Sequence, residues 1–359
     1  MGVRRLELAE FRIFRAAEIR PEPEGTTVIT GPNGSGKTSV LEALAYLGTR
    51  RSFRGAPLEA MVRNGAAQAV IRADIEGADS PTLVEAEIVP GGRGRTRVNR
   101  KNATSRAALA DAAPCTVFSP EDLTIISGGP RGRRDVLDDA LALLDPEGAR
   151  AADETERVLR QRAALLRQSG GRVTPEVATT LDVWDQRLAD AGKVLVAARE
   201  GLVAELASPV GATYGRLAGS GDPAALALRY QRSWAGDLLD ALGAARSDDL
   251  RRGVNTLGPH RDDVEFLLGG REARTHASQG EQRCAALAVR LGVHHLVRTK
   301  TSLVPTLLLD DVFSELDPDR CRALVAELPA GQALLTTASP LPAGIDVVRV
   351  LPVGTLERP

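Results

Sequence analysis

Residues Gly31-Pro32-Asn33-Gly34-Ser35-Gly36-Lys37-Thr38 fill the pattern G-x-x-x-x-G-K-[ST] completely. Glycines at those positions let successive backbone N–H groups turn inward toward phosphate oxygens. Lys37 adds a point charge for the β- and γ-phosphates, and the Thr38 hydroxyl is a ligand for Mg²⁺. Lysine is scarce elsewhere: only four of the 46 basic residues are Lys (Lys37, Lys101, Lys193 and Lys300). A second segment, Thr306-Leu307-Leu308-Leu309-Asp310-Asp311, is an apolar run ending in two acids. It assigns Asp310 as the second Mg²⁺ anchor and Asp311 as the group that orients or deprotonates an attacking water. The guanine-reading pattern N-K-x-D is absent, which points to ATP over GTP. A third segment, Ser278-Gln279-Gly280-Glu281-Gln282-Arg283, precedes an apolar helix. Ser278 and Glu281 have the spacing of a capping box, and the free N–H groups beside Gly280 offer a second anion site.

These residues need elements to hold them. Leu6, Leu8 and Phe11 alternate as a strand, and Thr26–Thr30 is a second strand running straight into the glycine loop. Val40, Leu41, Leu44 and Leu47 then mark a helix, so the loop has the strand-before, helix-after context its chemistry requires. Residues 68–75 and 82–89 read as further strands, and 93–106 as a polar hairpin. Ser119-Pro120-Glu121-Asp122 is a helix start, with a hydroxyl cap, a proline in the first turn and a carboxylate three residues on. From Asp135 to Leu250 strand signals are few. There Leu181, Trp184, Leu188, Ala191, Leu195, Ala198 and Leu202 alternate three and four apart, with 151–168 as the partner helix. Val264–Leu268, Leu303–Asp310 and Gln332–Thr337 return to strand character. The expected architecture is α/β: residues 1–125 and 253–359 form a discontinuous head, interrupted by an all-helical insertion at 126–252.

The chain has 359 residues and a formal net charge of -1, which excludes a uniformly basic nucleic-acid-coating protein. Any contact with DNA must then be local. Arg93, Arg95, Arg97, Arg100, Lys101 and Arg106 lie in a stretch without acids, and a strand would put Arg93, Arg95 and Arg97 on one face. Arg131, Arg133 and Arg134 are a second cluster, with Asp135, Asp138 and Asp139 nearby as possible partners. Guanidinium groups suit phosphates, and with aromatics at 3 % there is little for base stacking, so backbone contacts without sequence preference are expected. Cys115, Cys284 and Cys321 have no paired spacing, and the histidines no ligand spacing, so Mg²⁺ is the only expected metal. His260 reads equally as a buried structural histidine or a functional one. No stretch approaches the ~20 apolar residues of a membrane span, and the start lacks a signal-peptide core, so a cytoplasmic location is expected.

Helix-start motif, acidic strand and the following Ser314-Glu315-Leu316-Asp317, in that order, resemble ABC-type ATPases. The resemblance becomes narrower with Asn33 in the glycine loop, Leu8-Ala9-Glu10-Phe11-Arg12, Arg50-Arg51-Ser52-Phe53-Arg54, Phe118-Ser119-Pro120-Glu121-Asp122-Leu123 and, above all, Gly258-Pro259-His260-Arg261-Asp262-Asp263. Over residues 6–337 the chain is similar to the RecF family of bacterial recombination mediators, relatives of SMC-type ATPase heads. That resemblance implies an ABC-type P-loop head with ATP and Mg²⁺ held between two copies. Lys37 and Asp310 would come from one copy, and Ser278, Gln279 and Gly280 from the other. It further implies slow, DNA-stimulated hydrolysis at gapped DNA, with RecO and RecR, to help load RecA in the SOS response. Arg12 and Arg50–Arg54 would neighbour the adenine or phosphates. Asp311 stands where a catalytic Glu is usual, the switch His is replaced near Thr336-Thr337, and Ser119 or Glu121 occupies the Q-loop position. Two other readings share these motifs: the nucleotide-binding subunit of a membrane transporter, and a structural DNA clamp that binds ATP without turnover.

Overall fold

A computed structural model describes residues 2–77, 80–314 and 316–356. A five-stranded parallel sheet runs in the order Val347–Pro352, Gly25–Thr30, Gln332–Thr337, Thr306–Asp310, Cys115–Phe118. Gln332–Thr337 and Thr306–Asp310 are buried at every position, the outcome that near-continuous apolar runs demand when both faces of a parallel sheet are covered. Beside it, a six-stranded antiparallel sheet is ordered Phe14–Ile19, Gly2–Phe11, Ala69–Glu76, Pro81–Ile88, Arg95–Val98, Lys101–Asn102. Its strands alternate buried and open positions, one face dry and one wet.

The helix Lys37–Thr49 fills the space between the two sheets. Residues 39–48 along it are buried without a break, and it packs with Leu6, Phe11, Ile71 and Ile88 of one sheet and Ile29, Leu308 and Leu334 of the other. A helix buried all round has no solvent face to offer, so the largely apolar sequence LEALAYLG belongs in that slot, its one acid, Glu42, paired with Arg12.

The predicted helical seam is present and longer than expected. Pro146–Gln168 packs along Pro175–Leu217, with Leu181, Leu188, Leu195 and Leu202 buried. The long helix carries on past Leu202 and lies against Gln279–Lys300. There a Cβ on Gly292 would stand 2.6 Å from Val210 Cγ2, so glycine is what lets the two helices approach.

Residues 126–252 are not all helix, and this corrects the expected insertion. Leu226–Gln231 is a strand that pairs antiparallel with Asp263–Leu268, across the boundary drawn at 252. Its period-2 signal (Leu226, Leu228, Tyr230) is only six residues long and sits among Ala- and Arg-rich helices that mask it. Leu202, Leu206, Val210 and Leu226 share one hydrophobic cluster with Leu287, Leu291, Leu307 and Leu335. The insertion and the head are therefore built around a common core. No helix among the described residues is long and apolar enough to cross a membrane.

Candidate nucleotide site and basic surface

The glycine loop leaves Gly25–Thr30 and turns into Lys37–Thr49 through Gly36, whose φ of 95° is left-handed. A Cβ on Gly36 would meet Ile13 Cδ1 and Phe14 Cζ, each at 2.7 Å, so glycine is required twice over. Lys37 folds back across the loop and donates from Nζ to Gly31 O at 2.7 Å and Pro32 O at 2.9 Å. Ser35 Oγ is buried without a hydrogen-bond partner among the described residues. Thr38 Oγ1 donates to Asp310 Oδ1 at 2.8 Å, joining residues 272 positions apart. Thr336 Oγ1 donates to the same oxygen at 2.6 Å. Asp310 is 4 % exposed. Burial pushes its carboxyl above the ordinary range, against the pull of the Thr336 and Thr38 hydroxyls.

These groups open on a cavity of about 680 Å³, whose wall includes Arg12, Asn33, Lys37, Arg54, Asp310 and Asp311. The donor set fits a Mg²⁺–triphosphate. A lysine bonded only to carbonyls and a helix N-terminus face the space an anion would take. A hydroxyl and a carboxylate already in contact would hold the hard cation. Thr38 and Asp310 are the residues positioned for it.

Arg12 anchors the wall by donating to Glu42 from Nε at 2.7 Å and Nη2 at 2.5 Å, and from Nη1 to Ala60 O at 2.6 Å. Glu42 is fully buried and also accepts from Ser52 Oγ. Arg12 and the 50–54 stretch thus converge on one carboxylate, which sequence reasoning missed inside an apolar helix. Within that stretch Arg54 reaches the cavity, 3.7 Å from Glu121, whereas Arg51 pairs with Asp135 and Asp139 on Pro130–Leu144. Asp311 holds a left-handed φ of 49°, its N–H shared between Thr336 O and Oγ1, both at 3.1 Å.

Ser278 caps Gln279–Lys300 as predicted. Its N–H donates to Glu281 Oε2 at 2.7 Å, and Glu281 N–H donates back to Ser278 Oγ at 3.3 Å. Ser278 and Gln279 are exposed, and neither they nor Gly280 lines the Lys37 cavity. A Cβ on Gly280 would lie 2.3 Å from Arg320 Nη1, so the Arg320 guanidinium packs directly over the glycine backbone. In the following loop Asp317 caps Pro318–Glu327, while Glu315 lies outside the described residues.

The two basic clusters diverge. Arg93, Arg95, Arg97, Arg100 and Lys101 are all exposed, and none joins an ion pair among the described residues. The sheet does bring acids alongside: Arg97 is in register with Glu85 and Arg95 with Glu87. Arg133, by contrast, is 5 % exposed and pairs bidentately with Asp263, at 2.6 and 2.9 Å. Arg134 Nη1 donates to Asp262 O at 2.6 Å. Arg131 is the exposed member of that cluster, and Arg134 is half-buried. Arg131 has the expected neighbour, Asp135, at 3.9 Å, whereas Arg133 and Arg134 turn instead to Gly258–Asp263. That motif is a joint: Arg199 Nη1 donates to Pro259 O at 2.8 Å, and Tyr230 OH to Asp262 at 2.6 Å. His260 Nε2 lies 3.2 Å from Asn255 O, and burial pushes its pKa down to about 4.

A glycine loop and an acidic strand flank one central strand of a parallel sheet, and an antiparallel sheet backs the loop's helix. With the capped helix Gln279–Lys300 alongside (the signature helix, after the helix-start motif Ser278–Arg283), this is the head of an ABC-type P-loop ATPase. Residues 2–335 match the family described as RecF/RecN/SMC N terminal domain. The chain is 40 % identical over 373 residues to the DNA replication and repair protein RecF of Beutenbergia cavernae, covering 94 % of each. It is 39 % identical over 355 residues to the protein of the same name from Streptomyces avermitilis, again covering 94 % of each. A solved structure of the recombination mediator protein RecF with ATP superposes with a TM-score of 0.84 at 26 % identity, covering 94 % of this chain and 92 % of that one. An Smc head domain from Pyrococcus furiosus superposes at 0.53 and 15 % identity, over 94 % of this chain and 90 % of that one, and so shares the fold. The chain belongs to the RecF family.

Proposed function

We propose that this protein is an ATP-dependent DNA-binding ATPase of recombinational DNA repair and replication that closes into a homodimer around Mg²⁺–ATP and hydrolyses it slowly. The observation that carries the reading is the 2.8 Å contact between Thr38 and Asp310, which brings the two proposed Mg²⁺ ligands together from distant segments. When bound, Mg²⁺ offsets the charge that builds on the phosphates during transfer. Lys37 exchanges the Gly31 and Pro32 carbonyls for phosphate oxygens, and Asp311, at the cavity wall, orients the attacking water. Ser278, Gln279 and Gly280 cap the γ-phosphate held by a second copy, in keeping with the exposure of Ser278 and Gln279 and the place of all three outside the chain's own cavity. Loss of that phosphate releases the dimer.

Arg93, Arg95, Arg97, Arg100 and Lys101 are the proposed contacts to DNA phosphates. The relatives' names, a DNA replication and repair protein and a recombination mediator of the RecFOR pathway, support a repair role with RecO and RecR; action at gapped DNA, help in loading RecA in the SOS response and a cytoplasmic location are part of the same proposal. Light scattering of the full chain with ATP, ADP and no nucleotide tests the core of this reading. ATP alone should double the mass of the parent, and Ser278→Arg should bind ATP yet stay monomeric. An ATP-dependent dimer of Ser278→Arg would remove the signature helix from the interface.

A further inference from the structure

One hydroxyl ties together the two acids of the site. Thr336 is 1 % exposed and lies on Gln332–Thr337, the strand between the glycine-loop strand and the acidic strand. Parallel pairing puts it in register with Asp310. It uses both halves of its hydrogen-bonding capacity there: Oγ1 donates to Asp310 Oδ1 at 2.6 Å and accepts the Asp311 N–H at 3.1 Å. Asp311 sits at φ 49°, a conformation side chains other than glycine rarely adopt, so something must hold it. On the far side of the turn, Ser314 Oγ donates to Asp311 O at 2.9 Å.

We propose that Thr336 is a positioning residue: its single hydroxyl aims Asp310 at Thr38 and pins the strained Asp311 backbone that brings the second carboxylate to the cavity wall. The position is one the sequence marked only by a missing switch histidine. A valine has the same shape and removes both bonds, leaving Asp310 short of one donor and the Asp311 N–H without its side-chain acceptor. A serine keeps both. The expected defect therefore follows the hydroxyl, not the volume of the side chain.

This inference rests on the reading of the cavity as a Mg²⁺–ATP site, and its test separates the two. Affinity for a fluorescent ATP analogue is measured on the full chain in Mg²⁺ and in EDTA, beside phosphate release and thermal unfolding. The parent should bind more tightly with Mg²⁺. Thr336→Val should match the parent in EDTA, lose about tenfold of the affinity gained from Mg²⁺, and release phosphate about 100-fold more slowly. Thr336→Ser should recover both. Should Thr336→Val fail to fold, Thr336→Ala carries the same comparison. A folded Val or Ala variant with the parental Mg²⁺ response and turnover overturns the proposal. A parent that binds no nucleotide overturns the reading of the cavity beneath it.

Discussion

Lys37, Thr38 and Asp310 act through types and atoms that a sequence displays directly, and the structure adds partners that it does not. Glu42 and Thr336 carry no motif of their own: one is an acid inside an apolar helix, the other a hydroxyl at the end of an apolar strand. Each is recognisable only from what it touches. His260 falls on the structural side of its two readings, half-buried and facing the Asn255 carbonyl. With its pKa held near 4 in the folded state against 6.5 in the unfolded chain, the folded form prefers the neutral ring. The unfolded chain then binds the extra proton first, so stability is present above 6.5 and lost as pH falls from 6.5 toward 4. Between pH 7 and 5 the parent should lose about 2 kcal/mol more than His260→Gln in urea unfolding. Equal losses would place His260 in solvent.

Among the elements, the Arg95–Val98 hairpin shows how pairing qualifies a charge pattern. Read along the chain, the arginines stand in a run without acids. Across the sheet, Glu85 and Glu87 lie beside them, and Glu85 already binds Arg72 at 2.9 Å. The net field is weaker than the count of arginines suggests, and the proposed DNA contact rests on guanidiniums free to leave for phosphates. Replacing Arg95 and Arg97 together by Glu should weaken DNA binding and reduce the slope of log affinity against log salt by about two. An unchanged slope would assign the DNA surface elsewhere. The Arg131–Arg134 cluster is the opposite case, a basic run from which Arg133 and Arg134 are drawn away by a distant motif.

For the whole molecule, the consequential finding is that the inserted segment and the head share a core. Leu202, Leu206 and Val210 are buried against the signature helix. At about 1.5–3 kcal/mol each, these three side chains alone stabilise the fold by an amount comparable to the ~5–15 kcal/mol of a typical domain. A head with residues 126–252 replaced by a short linker should therefore fail to give a cooperative thermal transition. A cooperative melt of that head would show a separable insertion. The shared core also means that a shift of the long helix is felt at Gln279–Lys300, the helix whose start faces the proposed second copy.

The glycine loop, acidic strand, capping box and helical seam were legible from sequence because each is local. Backbone angle, hydrogen-bond spacing and 3.5-residue periodicity are properties of consecutive residues, and no other part of the chain changes them. Pairing was not legible. Whether an arginine meets phosphate or Asp263, whether a six-residue alternation becomes a strand, and whether one threonine reaches two aspartates depend on which segments the folded core presses together. Burial then decides the outcome, since a charge or hydroxyl removed from water must take the partner that is there.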